Sequence, residues 1–129
     1  MMKRYSLVRV GSLLITKAAV SGPAGTKVLN LLVDTGSTYT IAALEVLEAI
    51  GCSPVGSKEH ARIVTGSGHV VAPLVKVPRL QCLGYKIQGF KIVAHTLPPE
   101  SAVDGLLGMD FLQKCKAIIN TGAGTVDVV

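Results

Sequence analysis

The chain has 129 residues, 49% of them apolar and 4% aromatic, with no Trp and a formal net charge of +5. That length suits one domain spanning residues 1–129, and the apolar fraction is too high for a disordered chain. No apolar run reaches bilayer length, and Cys52, Cys82 and Cys115 are too scattered for a disulfide framework or a zinc site.

The absence of a spanning run argues against membrane insertion. Lys and Arg are spread without a cluster, and stacking aromatics are scarce, which disfavours nucleic acid as a partner. Free thiols suit a reducing compartment. Arg9 interrupts the apolar stretch behind the basic N-terminus, which makes a poor signal peptide, so the expected location is the cytoplasm. His60, His69 and His95 fit neither a metal site nor a triad spacing, and no metal or cofactor is expected. With 14 Gly and 6 Pro distributed among Val, Leu, Ile and Ala, the composition favours an all-β domain.

In chain order, residues 3–10 and 12–20 read as strands. Ser21-Gly22-Pro23-Ala24-Gly25 is turn chemistry, and residues 26–33 return as the second arm of a hairpin. Residues 38–41 read as a short strand. The period then changes: Ala43, Val46, Leu47 and Ile50 share one helical face, and Gly51 stands where a helix ends. Residues 59–64 and 69–77 form a hairpin with Thr65-Gly66-Ser67-Gly68 at its tip, and Pro73 suggests an edge or a bulge. Strands follow at 80–83, 85–94 and 103–107, then a short helix at 109–114 and a terminal hairpin over 116–129.

The chemistry concentrates where the apolar run Leu29-Asn30-Leu31-Leu32-Val33 ends in Asp34-Thr35-Gly36-Ser37. A buried strand delivers one carboxylate to a tight turn there. Gly36 lets the backbone approach that carboxylate, and Thr35 and Ser37 add hydroxyls to hold it. Asp-Thr-Gly is also an ordinary turn when it stands alone. Here it is followed some seventy residues later by Asp104-Gly105-Leu106-Leu107-Gly108-Met109-Asp110-Phe111-Leu112.

The two motifs together resemble the retropepsin-like aspartic proteases, nearer to cellular and bacterial members than to retroviral ones. The resemblance runs from about Val10 to the C-terminus. It implies a closed β-barrel with one or two short helices, Asp34 as the catalytic acid, and Thr35, Gly36 and Ser37 as support for its loop. It places the substrate-covering flap at Thr65, Gly66, Ser67 and Gly68. Ile41, Leu106 and Leu107, near the motifs, are candidate pocket residues, although each taken singly reads first as plain core. Retroviral members usually carry an Asp and an Arg where this chain has Thr38 and Met109, so the bracing ion pairs of those enzymes are missing.

Carboxylate-driven peptide hydrolysis needs two acids around one water, sharing a proton. The chain has one Asp-Thr-Gly. The expectation is therefore an aspartic endopeptidase that acts on peptides or proteins as a homodimer, with one Asp34 from each copy across a two-fold axis. The end segments 3–10 and 125–129 are expected to pair between copies. Two rival readings are a non-catalytic dimer that binds peptides or serves assembly, and a basic β-domain that binds nucleic acid.

Overall fold

The computed structural model describes residues 1–65 and 68–129. Its strands are β1 (Lys3–Ser6), β2 (Val8–Val10), β3 (Leu13–Gly22), β4 (Gly25–Val33), β5 (Ile41–Ala42), β6 (His60–Thr65), β7 (Gly68–Cys82), β8 (Tyr85–Ala94), β9 (Gly105–Leu107), β10 (Ile118–Asn120) and β11 (Thr125–Val128). Two short helices complete it, α1 (Leu44–Ala49) and α2 (Met109–Leu112).

The sheet order β3-β4-β9-β5-β8-β7 closes on itself through a β7–β3 pairing, with Ala18 opposite Cys82 and Ser21 opposite Arg79. The fold is therefore a closed barrel of six strands, mostly β, as the sequence implies. Closure hides the edges that an open sheet would expose. Leu29, Leu31, Val20, Leu80 and Ile92 fill its interior at no more than 2% exposure. β9 runs parallel to β4, with Leu32 beside Leu106, and antiparallel to β5, with Ile41 beside Leu106. This insertion of β9 brings the two sequence motifs together.

Close packing there depends on Gly105. A Cβ on it would lie 1.9 Å from the Ile41 carbonyl oxygen, so no other residue lets β9 pass that strand. Phe111 of α2 is completely buried and meets Tyr85 and Phe90 edge-on, with centroids 6.3 and 6.1 Å away. Such ring pairs contribute about 0.5–1.5 kcal/mol beyond burial and seat α2 against the barrel. α1 ends as its glycine predicts: Gly51 has φ +83°, its N–H donates to Glu48 O, and Cys52 N–H donates to Leu47 O.

Several elements depart from the sequence reading. Residues 3–10 are not one strand, because buried Leu7 divides them. Its N–H donates to Gly124 O, and the chain changes sheets there. β1 then pairs with β11, which also pairs with β10, so the two chain ends join within the chain, and β11 is covered on both sides by its own chain. Residues 69–77 and 80–83 are one continuous β7. With Val77 opposite Phe90 and Arg79 opposite Gln88, the register passes through Pro78 unbroken. Pro73 marks a change of partner: it faces His60 of β6, and pairing with β8 begins at Leu74. The strand expected at 38–41 shrinks to Ile41–Ala42, because residues 38–40 are drawn into the loop described next.

Candidate active site

Asp34 follows the last residue of β4, and its N–H donates to Leu107 O of β9 at 3.0 Å. The chain then turns back so that Ser37 N–H donates to Asp34 O and Gly36 N–H donates to the Asp34 carboxylate Oδ1 at 2.9 Å. A carboxylate that accepts a backbone N–H keeps one orientation. Asp34 is half-buried, while Thr35 and Gly36 are exposed on the turn. The Ser37 hydroxyl does not reach the carboxylate as the sequence suggested. It donates to Tyr39 O at 2.7 Å and braces the far side of the loop.

The loop is held from behind by a group that the sequence reading passed over. Asp110, at the start of α2, accepts from Thr40 N–H at 2.9 Å and from the Thr40 hydroxyl at 2.7 Å. Thr40 is 1% exposed, and its hydroxyl also accepts from Gly108 N–H at 3.2 Å. Met109 N–H donates to Ser37 O, and Asp110 N–H to Thr38 O. The segment 37–40 is thus tied to the β9–α2 corner by backbone and side chain together. One signal could have revealed it. An acid inside the apolar run Leu106-Leu107-Gly108-Met109-Asp110-Phe111-Leu112 must find donors.

In front of the loop lies a cleft of about 300 Å³. Asp34, Gly36, Ser37 and Thr38 form one wall, Ile41 and Leu106 line it beside them, Arg62, Ile63, Val64 and Val70 come from the β6–β7 hairpin, and His95 and Leu97 from the segment after β8. Of the expected pocket residues, Ile41 and Leu106 line this cleft as cross-strand neighbours. Leu107 does not. It is fully buried in the main core, on the opposite face of β9 from Leu106. The hairpin that carries the expected flap stands over the cleft, and Thr65 pairs with Gly68 at its end. Gly66 and Ser67 lie outside the described residues.

The other acids near the loop are engaged elsewhere. Asp104 accepts from Asn30 N–H at 2.8 Å, and Asp110 is held by Thr40. Among the described residues, Asp34 is the only carboxylate lining the cleft, and no group of His, Cys, Asp and Glu is arranged to hold a metal ion.

A family model described as aspartyl protease matches residues 16–111, a span that takes in the Asp34 turn, the cleft and the β9–α2 corner. The chain belongs to the retropepsin-like aspartyl protease family. No curated protein matches it. Among solved structures, a retropepsin-like aspartic protease from Rickettsia conorii superposes with a TM-score of 0.71 at 17% identity, over 99% of this chain and 91% of that one. At that identity the likeness establishes the fold. For a retropepsin-like chain, the decisive local feature is Asp34, held at the end of a buried barrel strand at the wall of a partly apolar cleft.

Proposed function

We propose that the protein is an aspartic endopeptidase whose site is completed by a second copy, with the two Asp34 carboxylates facing each other across a two-fold axis. One observation carries this reading. Asp34 is fixed by Gly36 N–H at the cleft wall, and among the described residues no other carboxylate lines that cleft. One chain therefore supplies half of the pair that the chemistry needs. Two carboxylates about 3 Å apart do not both ionise, so the pair holds one proton.

The ionised Asp34 takes a proton from the water between them, and the water oxygen bonds to the peptide carbonyl carbon. The protonated Asp34 gives its proton to the carbonyl oxygen, which makes a neutral tetrahedral diol. As the C–N bond breaks, the protonated carboxyl gives its proton to the leaving amine. The ionised one takes a proton from a diol hydroxyl, which becomes part of the new carboxyl group, so the pair again holds one proton. The substrate lies extended along the cleft under the β6–β7 hairpin, with alternate side chains in the apolar wells beside Ile41 and Leu106. Three unpaired cysteines support a reducing, cytoplasmic setting for this activity.

The test is digestion of a peptide library by wild-type and Asp34→Asn protein over a range of protein concentrations, with sedimentation of the same samples. Turnover per chain should fall on dilution as the dimer dissociates. Asn preserves the turn and cannot act as a base, so the variant should lose at least about 100-fold in rate. Cleavage by the variant at the wild-type rate, or full activity from a sedimenting monomer, would overturn the reading.

A further inference from the structure

We propose that the cleft selects peptides carrying an acidic side chain within a few residues of the scissile bond, and that Arg62 is the residue that recognises it. This rests on the aspartic endopeptidase reading of the same cleft and names its substrate class. Arg62 lies on β6 and lines the cleft with Asp34. It is exposed, and among the described residues its guanidinium has neither an ion pair nor a hydrogen bond. The ion pairs of the described residues are Arg4–Asp127 and Lys91–Glu59. An arginine at the mouth of a binding cleft, with five donors free, is fitted to a carboxylate.

The surroundings strengthen that choice. From His60 to Pro99 the sequence contains no Asp or Glu, so neither the hairpin over the cleft nor the strands behind it offer Arg62 a competing acid. Glu59, just outside that stretch, is taken by Lys91 at 2.8 Å. Glu45, packed near the His95 segment, accepts from the Thr96 hydroxyl at 3.2 Å. His95 adds a second nitrogen-bearing side chain to the cleft, and its ring makes no hydrogen bond among the described residues. Ile63, Val70 and Leu97 line the same cleft and give the rest of an extended peptide apolar surface to lie against.

A two-fold dimer would present Arg62 twice, once on each side of the scissile bond. The preference should then hold for acidic residues both before and after the cleaved peptide. The net charge of +5 draws any anionic chain toward the protein, but that field is screened by salt and gives no positional preference. Position dependence is what distinguishes Arg62 from general attraction.

The experiment measures binding of extended peptides to the Asp34→Asn protein at 0.15 M salt, in series that differ only by Glu, Gln or Lys at each position. Turnover of the same peptides by wild-type protein is measured alongside. Glu peptides should bind roughly 3- to 5-fold tighter than Gln peptides at specific positions. The preference should vanish in Arg62→Gln and turn toward Lys in Arg62→Glu. Equal binding of Glu and Gln peptides, or a preference that survives in Arg62→Gln, overturns the proposal. Position-specific acid preference in binding without any wild-type cleavage keeps the recognition and removes the protease reading. Cleavage without acid preference does the reverse. Absence of both binding and cleavage removes both.

Discussion

Asp110 holds Thr40 by two bonds at once, accepting the backbone N–H on one carboxylate oxygen at 2.9 Å and the hydroxyl on the other at 2.7 Å. Thr40 lies between the Asp34 turn and β5, so this contact sets where the turn leaves the barrel. Asp110→Ala would leave a buried N–H and a buried hydroxyl without their acceptor. The expected cost is roughly 1.5–3 kcal/mol in unfolding free energy, since the lost acceptor is charged. Thr40→Val removes only the hydroxyl and should cost less. Denaturant melts of both variants measure the order, and a melt of Asp110→Ala that matches wild type would show that the corner is held by backbone bonds alone.

Gly108 is a second fixed point of the same corner, for steric reasons. Its backbone is extended, with φ −96° and ψ −178°, so conformation is no obstacle to another residue. Space is the obstacle: a Cβ there would lie 2.4 Å from Tyr39 O and 2.9 Å from Ser37 O, both backbone atoms of the Asp34 loop. Gly108→Ala must push that loop outward, at a cost of about 1–3 kcal/mol. Gly122→Ala is the control, because its Cβ would meet only Asn120 Oδ1 at an ordinary 3.6 Å. Thermal melts should separate the two variants clearly, and equal melting temperatures would remove the steric argument.

Much of this corner was legible in the sequence because local chemistry and global fold agree there. An apolar run ending in Asp-Thr-Gly-Ser specifies one local structure there, and Gly51 behind the amphipathic stretch that becomes α1 does the same at the end of that helix. What escaped was non-local. Leu7 becomes a sheet-switching residue only because Gly124 O is waiting for its N–H. Pro78 does not break β7, because the strands on either side keep their register with β8. Ser37 turns to Tyr39 O and not to Asp34, a choice fixed by loop geometry that spacing does not encode. Leu106 and Leu107 look alike in sequence, and the two-residue period of β9 sends one to the cleft and the other to the core.

The three cysteines should differ sharply in reactivity. Burial pushes the Cys82 thiol up to about 12, with nearby Cys115 adding to the rise. Cys115 is raised by the same burial, and Cys52, the least covered of the three, is raised by desolvation alone. The thiolate is the reactive form, so a raised value lowers reactivity at neutral pH. A small alkylating reagent at pH 7 should modify Cys52 first and leave Cys82 untouched until the protein unfolds. Mass spectrometry of the timed reaction gives the order, and early labelling of Cys82 would contradict its burial.

The chain ends should matter to the single fold and not only to assembly. β11 is hydrogen-bonded on both edges, to β1 and to β10, so it has no free edge to offer another copy. β1 covers it through four register pairs and the Arg4–Asp127 ion pair, in which Nε meets Oδ1 at 2.8 Å and a second nitrogen meets Oδ2 at 3.1 Å. Val126 and Val128 are almost fully buried beneath that cover. Deleting residues 1–6 should therefore lower the melting temperature by the same amount at every protein concentration, whereas loss of an inter-copy strand would act only where the dimer forms. Acid gives an independent check. The Asp127 carboxyl is held below its ordinary value by its hydrogen bond to Arg4. A lowered folded-state value adds stability that is present above the ordinary carboxylate range and disappears as pH falls through the lowered value. The full chain should thus lose more of its melting temperature than an Arg4→Ala variant between neutral pH and the acid side of that range. The difference will be small, because the pair is exposed to solvent. Identical melting of the full and truncated chains at all concentrations would show that β1 adds nothing to the fold and would return the chain ends to a role between copies.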